Sequence, residues 1–115
     1  MHEASVALSV LDIVIGQCRQ AGYGEIEVVR LMIGKGAGIL PDALLFAFDI
    51  AKRGTIASEA ELVIETVAVG GVCRACQRQF ETETAGFVFA CPFCSSPSIQ
   101  IDRGYEMQVV DMEVN

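Results

Sequence analysis

Four cysteines carry the strongest chemical signal in this chain. They read Cys73-Arg74-Ala75-Cys76 and, after fourteen residues, Cys91-Pro92-Phe93-Cys94. Two Cys-x-x-Cys pairs make two tight knuckles, each offering two thiolates to one ion. Four thiolates suit a tetrahedral ion, and Zn²⁺ is the expected occupant. The spacer is one residue shorter than the usual template for such sites, a small deviation because it only has to form a hairpin between knuckles. Backbone amides in the knuckles are expected to donate hydrogen bonds to the sulfurs and spread their negative charge.

Other chemistries fit four cysteines. Two disulfides are disfavoured in a reducing compartment, and no basic leader followed by an apolar core suggests export. The expected location is therefore the cytoplasm. Dithiol redox chemistry usually needs one such motif, whereas two are present. Iron is the sharper rival, because Cys91-Pro92-Phe93-Cys94 resembles a rubredoxin knuckle. Rubredoxin knuckles usually place glycine after the last cysteine, and here Gln77 and Ser95 follow. The fifth thiol, Cys18, lies on the apolar side of a helical stretch and reads as a buried structural group.

A second candidate centre is Met1-His2-Glu3. The α-amine of Met1, the backbone nitrogen of His2 and its imidazole can chelate one ion in fused rings. The Glu3 amide nitrogen is a fourth donor once deprotonated. Four nitrogens in a plane suit Ni²⁺ or Cu²⁺ rather than tetrahedral Zn²⁺. The Glu3 carboxylate could add an oxygen or orient the imidazole. Met1 is expected to be retained, since a bulky second residue resists its removal. The plain alternative is an exposed histidine beside an ordinary first-turn glutamate.

These residues need elements to hold them. Residues 3 to 20 place Val6, Val10, Ile13 and Val14 at helical spacing, and Ala21-Gly22-Tyr23-Gly24 stops the helix. Residues 25 to 34 are β-branched and apolar and read as a strand. Val29, Leu31 and Ile33 are expected on one face, and Ile26, Val28, Arg30 and Met32 on the other. Gly34-Lys35-Gly36-Ala37-Gly38 lacks the Gly-Lys-Ser/Thr ending of a phosphate loop and reads as a flexible turn. Pro41 and Asp42 open a second helix that ends near Gly54. Residues 61 to 69 read as a strand, Gly70-Gly71 as a change of module, and 105 to 114 as a third strand. The fold class is α+β: a three-stranded sheet with two helices on one face, plus an inserted zinc-ribbon-like module. Residues 1–70 and 105–115 form the first domain, and 71–104 form the zinc domain, whose folding energy the metal supplies.

Composition narrows the function. The chain has 115 residues, enough for one domain or a small domain plus a metal-stapled module. Hydrophobic residues make up 52%, a surplus that suggests a partner surface as well as a core. No apolar run spans a membrane, since Asp12 interrupts one and Pro41-Asp42 another. Net charge is −7, which argues against nucleic acid. Arg74, Arg78 and Arg103 make at most a small basic patch. No nucleophile is paired with a base, so an enzyme is not expected.

Taken together, Met1-His2-Glu3, the stretch from Ile33-Gly34 to Pro41-Asp42-Ala43-Leu44-Leu45-Phe46-Ala47-Phe48, the two Cys-x-x-Cys pairs and the closing Gly104-Tyr105-Glu106-Met107 resemble the HypA family. These are nickel metallochaperones of hydrogenase maturation. The resemblance implies square-planar Ni²⁺ binding by the Met1 amine, the His2 backbone and ring, and the Glu3 backbone. It implies zinc at Cys73, Cys76, Cys91 and Cys94. It also implies delivery of nickel to the [NiFe]-hydrogenase large subunit with the HypB GTPase, and in some organisms to urease through its maturation proteins. A monomer or weak homodimer is expected, with no nucleic-acid or membrane partner. One departure stands out. The family often carries an acidic residue before the proline, where this chain has Leu40; Asp42 follows and is a candidate carboxylate for the nickel site. The reading from a different class is a zinc-ribbon protein–protein adaptor without nickel transfer.

Overall fold

The computed structural model describes residues 2–83 and 88–115. The element order is α1 (His2–Gln20), β1 (Ile26–Gly34), a single 3-10 turn (Lys35–Ala37), α2 (Pro41–Ala51), β2 (Glu61–Val67), β3 (Val69–Cys73), β4 (Gln79–Thr82), β5 (Ile99–Arg103) and β6 (Met107–Val114). Two three-stranded sheets result, ordered β2-β1-β6 and β4-β3-β5. The closing strand returns to pair with β1, so the second sheet is inserted in sequence between β2 and β6. This is the expected α+β class. Among the described residues no helix is long and apolar enough to cross a membrane.

The chain divides into two compact units, Met1–Leu31 with Ile39–Glu65 and Gln108–Asn115, and Met32–Gly38 with Thr66–Met107. In the first, α1 buries Val6, Ala7, Val10, Leu11, Val14 and Cys18 on one stripe. These positions recur at three and four residues, the spacing of one helical face. Leu44 and Phe48 of α2 and Val29 and Leu31 of β1 complete that core. Cys18 is a buried thiol there, as its position on the stripe requires. Arg30 pairs with Asp111 at 2.7 Å and with Glu113 on neighbouring β6, a cross-strand arrangement on the exposed face.

Alternation along β1 holds except at its start. Val29, Leu31 and Ile33 are buried as expected, but Ile26, expected on the opposite face, is fully buried too. The Ile26 amide donates to Ile56 O at 3.0 Å, which brings a loop with buried Ala57 and Ala60 against that end of the strand.

Two expectations about glycine are overturned. The 34–38 stretch is a packed turn, not a flexible one. Gly34 N donates to Glu106 O and Gly36 N to Gly104 O, each at 2.8 Å. A Cβ on Gly34 would sit 2.1 Å from the Gly104 carbonyl, so only hydrogen fits between these backbones. Likewise Gly70-Gly71, expected to mark a change of module, lies inside β3, the central strand of the second sheet, while the division falls earlier, between Glu65 and Thr66. The strand expected over 61–69 accordingly breaks after Val67, and Val69 begins the next. A Cβ on Gly71 would meet Gln100 O at 1.9 Å, and the β3–β5 register slips between Gly70 and Gly71. Such an irregularity lets backbone approach more closely than a regular ladder.

This predicts opposite outcomes for two alanine substitutions. Gly71→Ala is expected to destabilise the chain by about 1–3 kcal/mol, because backbone must move to admit the methyl. Gly16→Ala, in mid-α1 with nothing within 4 Å, is expected to stabilise it by about 0.5–1 kcal/mol. Thermal unfolding followed by circular dichroism measures both; a Gly71→Ala midpoint equal to the parent's would contradict the close approach.

Candidate metal centre

The second sheet delivers the cysteines. β3 ends at Cys73, which pairs with Ile99, the first residue of β5. Arg74 N donates to Ser98 O at 2.9 Å, extending that contact into the first knuckle. Both Cys-x-x-Cys turns therefore lie at the same end of the sheet.

The two knuckles repeat one backbone scheme. Gln77 N donates to Cys73 O at 2.8 Å, and Ser95 N to Cys91 O at 2.9 Å. Cys73 N donates to Arg78 O at 3.0 Å, and Cys91 N to Ser96 O at 2.8 Å. Closing each loop requires a left-handed residue after the second cysteine, and Gln77 (φ 62°) and Ser95 (φ 65°) adopt it without being glycine. Amides then point at sulfur: Cys76 N reaches Cys73 Sγ at 3.4 Å, and Phe93 N reaches Cys91 Sγ at 3.3 Å. The expected amide-to-sulfur bonds are thus in place.

All four sulfurs lie within 4.8 Å of one another. Across the knuckles, Cys73 and Cys94 are 3.5 Å apart and Cys76 and Cys91 3.8 Å. A tetrahedron with metal–sulfur bonds of about 2.3 Å has edges of about 3.8 Å, so the donor set fits one four-coordinate ion. The separations are far beyond a sulfur–sulfur bond of about 2.05 Å, and all four thiols are free. Cys73 and Cys91 are buried, Cys76 half-buried and Cys94 exposed. The Cys76 amide is the chief reason that Cys73 is pulled down to about 6. Cys94 is drawn down by the Ser96 amide, yet the neighbouring Cys73 sulfur and loss of water push it up to about 11. One sulfur ionises readily and its partner across the knuckles resists, the pattern of like charges that share a site. A cation among the sulfurs removes that conflict.

The other candidate residues are placed as follows. Met1 lies outside the described residues, as does the tip of the spacer at 84–87. His2 is exposed and opens α1. Glu3 turns its carboxylate to the start of α2, where Leu40 N donates to Oε2 at 3.2 Å. That hydrogen bond is the main cause holding the Glu3 carboxyl below its usual range. Leu40 is the N-cap of α2 and brings no capping side chain, so Glu3 serves from outside the helix. Asp42 sits in the first turn of α2, exposed. Among the described residues, only the four cysteines cluster side-chain donors closely enough to hold a metal ion. Sequence reasoning did not foresee the Glu3–Leu40 bond, which depends on the tertiary placement of α2. Of the three arginines, Arg103 is engaged by Asp102 at 2.7 Å, by Glu81 at 3.6 Å and by Phe80 O at 3.2 Å.

Fold and site together define a small α+β metal-binding protein with a four-cysteine centre on its inserted sheet. Residues 1–114 match the family described as hydrogenase/urease nickel incorporation, metallochaperone, hypA. A hydrogenase maturation factor HypA from Chlorobium limicola is 44% identical over 109 residues, covering 95% of this chain and 92% of that one. One from Chloroflexus aggregans is 40% identical over 113 residues, covering 98% of each. The solution structure of the Ni metallochaperone HypA from Helicobacter pylori superposes with a TM-score of 0.68 at 23% identity, covering 97% of this chain and 96% of that one, a likeness of fold. A second solution structure, of a HypA protein, gives 0.72 at 25% identity, covering 100% and 97%. The chain belongs to the HypA family of nickel-incorporation metallochaperones.

The knuckle geometry yields a prediction. A side chain at a left-handed position costs about 1–2 kcal/mol, part of which glycine's extra chain entropy offsets. Ser95→Gly is therefore expected to stabilise the metal-loaded chain by about 0.5–1 kcal/mol, with Ser95→Ala near neutral. Denaturant midpoints measure this, and a destabilising glycine would refute the strain argument.

Proposed function

We propose that the chain carries Ni²⁺ for delivery to a [NiFe]-hydrogenase large subunit, with Zn²⁺ held permanently by Cys73, Cys76, Cys91 and Cys94. The observation that carries this reading is the match of residues 1–114 to a nickel-incorporation family, with His2 and Glu3 at the exposed start of α1. In this reading residues 1–70 and 105–115 form the nickel domain and 71–104 the zinc domain. The HypB GTPase is the expected working partner, urease maturation proteins are further partners in some organisms, and the cytoplasm is the site of action. The chain acts as monomer or weak homodimer.

Nickel is cargo here, so its ligands must both hold and let go. The first amides of a helix have no partner within it. The nitrogens of His2 and Glu3 can therefore bind metal without breaking a helical hydrogen bond. With the Met1 amine and the His2 imidazole they complete an all-nitrogen plane that suits Ni²⁺. The Glu3 carboxylate, engaged by Leu40 N, is then a support rather than a ligand. Asp42, two residues further on, is the carboxylate left for the metal if a fifth donor is used. Ligands near a chain end exchange one at a time with those of an acceptor. In contrast, four thiolates on two interlocked knuckles form a closed structural site.

Nickel titration by calorimetry tests the proposal, using chain that begins at Met1. One site per chain is expected, lost in His2→Ala and lost when extra residues precede Met1. Affinity is expected to fall on acidification, because the imidazole and amine must shed protons to bind. Absence of binding in the parent chain would leave a zinc-stapled protein–protein adaptor instead.

A further inference from the structure

We propose that Arg78 and Phe93 form a clasp between the two knuckles that sets how fast the four-thiolate site gives up its ion. The proposal rests on the metal-binding reading of that site. Arg78 closes the first knuckle through its carbonyl, which accepts from Cys73 N at 3.0 Å. Phe93 lies inside the second, between Cys91 and Cys94, and its amide donates to Cys91 Sγ at 3.3 Å. The Arg78 guanidinium sits 5.2 Å from the centroid of the Phe93 ring, within the range of a cation–π contact. This contact joins the knuckles side chain to side chain, independently of the ion.

The surroundings direct Arg78 to that role. The acids of β4 and just after it are engaged elsewhere, Glu81 with Arg103 and Glu83 with Lys35. Among the described residues no carboxylate forms an ion pair with Arg78. Four thiolates around a divalent cation leave a net negative charge, and a guanidinium anchored across the knuckles offsets part of it.

Release of a closed tetrahedral ion begins when one thiolate leaves. Cys94 is the exposed sulfur of the four and is the accessible point of attack by a proton or chelator. While the clasp holds, the second knuckle stays beside the first and the displaced sulfur returns. When it opens, Cys91 and Cys94 can move off together. Arg78 and Phe93 are thus positioning residues, acting through the knuckle backbones rather than touching metal.

The test follows zinc transfer from the full chain to an excess of a chromogenic chelator at neutral pH. Arg78→Ala and Phe93→Leu are each expected to speed release about two- to five-fold, the factor an exposed cation–π contact supports. The double variant should be no faster than either single one. Arg78→Lys and Phe93→Tyr keep a cation and a ring and should stay near the parent rate. Arg74→Ala removes the same charge beside Cys73 without touching the ring and should also stay near it. Cobalt substitution should give the same tetrathiolate absorption in every variant, showing that the coordination itself is intact. A parent rate in Arg78→Ala, multiplying effects in the double variant, or equal acceleration in Arg74→Ala would each overturn the clasp. A parent chain with neither zinc nor a cobalt tetrathiolate spectrum would overturn the metal reading beneath it.

Discussion

Mutual repulsion among four sulfurs is the constraint on which the inserted sheet depends. They lie within 4.8 Å of one another, and Cys73 at about 6 faces Cys94 at about 11. Full ionisation of such a group needs a cation at its centre. The unit around it buries few large side chains; Ile33, Val69, Phe80 and the cysteines Cys73 and Cys91 are its main interior among the described residues. A core of that size does not offset chain entropy by itself. An ion held by the four cysteines would therefore make the end of β3, the start of β5 and both knuckles a single structure.

Glycine answers a second constraint, the need for backbone to approach backbone. β3 runs between β4 and β5, and its glycines admit neighbours that a methyl would exclude. The Arg103 guanidinium lies over Gly70, and the Gln100 carbonyl against Gly71. Phe80 stands opposite Gly71 across the β3–β4 ladder and is buried. The same logic joins Gly34 to Gly104, where two amide-to-carbonyl bonds fix the 34–38 turn.

These two constraints differ in how visible they are along the chain. Metal ligation is local in sequence within each Cys-x-x-Cys, so residue type and spacing reveal it directly. Helix α1 is visible for a similar reason, since its buried stripe repeats within a few turns. β6 was legible as a strand from its alternation, and its return to β1 from topology alone. Gly70-Gly71 and the 34–38 turn were misread because glycine's meaning there is set by Gln100 and Gly104, distant in sequence. Ile26 escaped its alternating pattern because an irregular loop covers it. The left-handed Gln77 and Ser95 were hidden behind polar side chains, although their matching places after each second cysteine held the signal.

The proposed nickel site at the N-terminus poses the converse problem, since its donors would be backbone atoms that carry no sequence signature. What the fold adds is the partner of the Glu3 side chain. Leu40, just before the proline, brings no capping group and no charge to the start of α2. Glu3 supplies a carboxylate at that helix N-terminus instead, at 3.2 Å from Leu40 N, where the helix dipole favours negative charge. A carboxylate held there is not free to ligate an ion without leaving the helix uncapped. In the proposed nickel site this favours nitrogen donors over the Glu3 oxygens. A planar nitrogen set discriminates for Ni²⁺ or Cu²⁺, while the four thiolates favour Zn²⁺. Donor type alone would then keep two metals apart in one small chain.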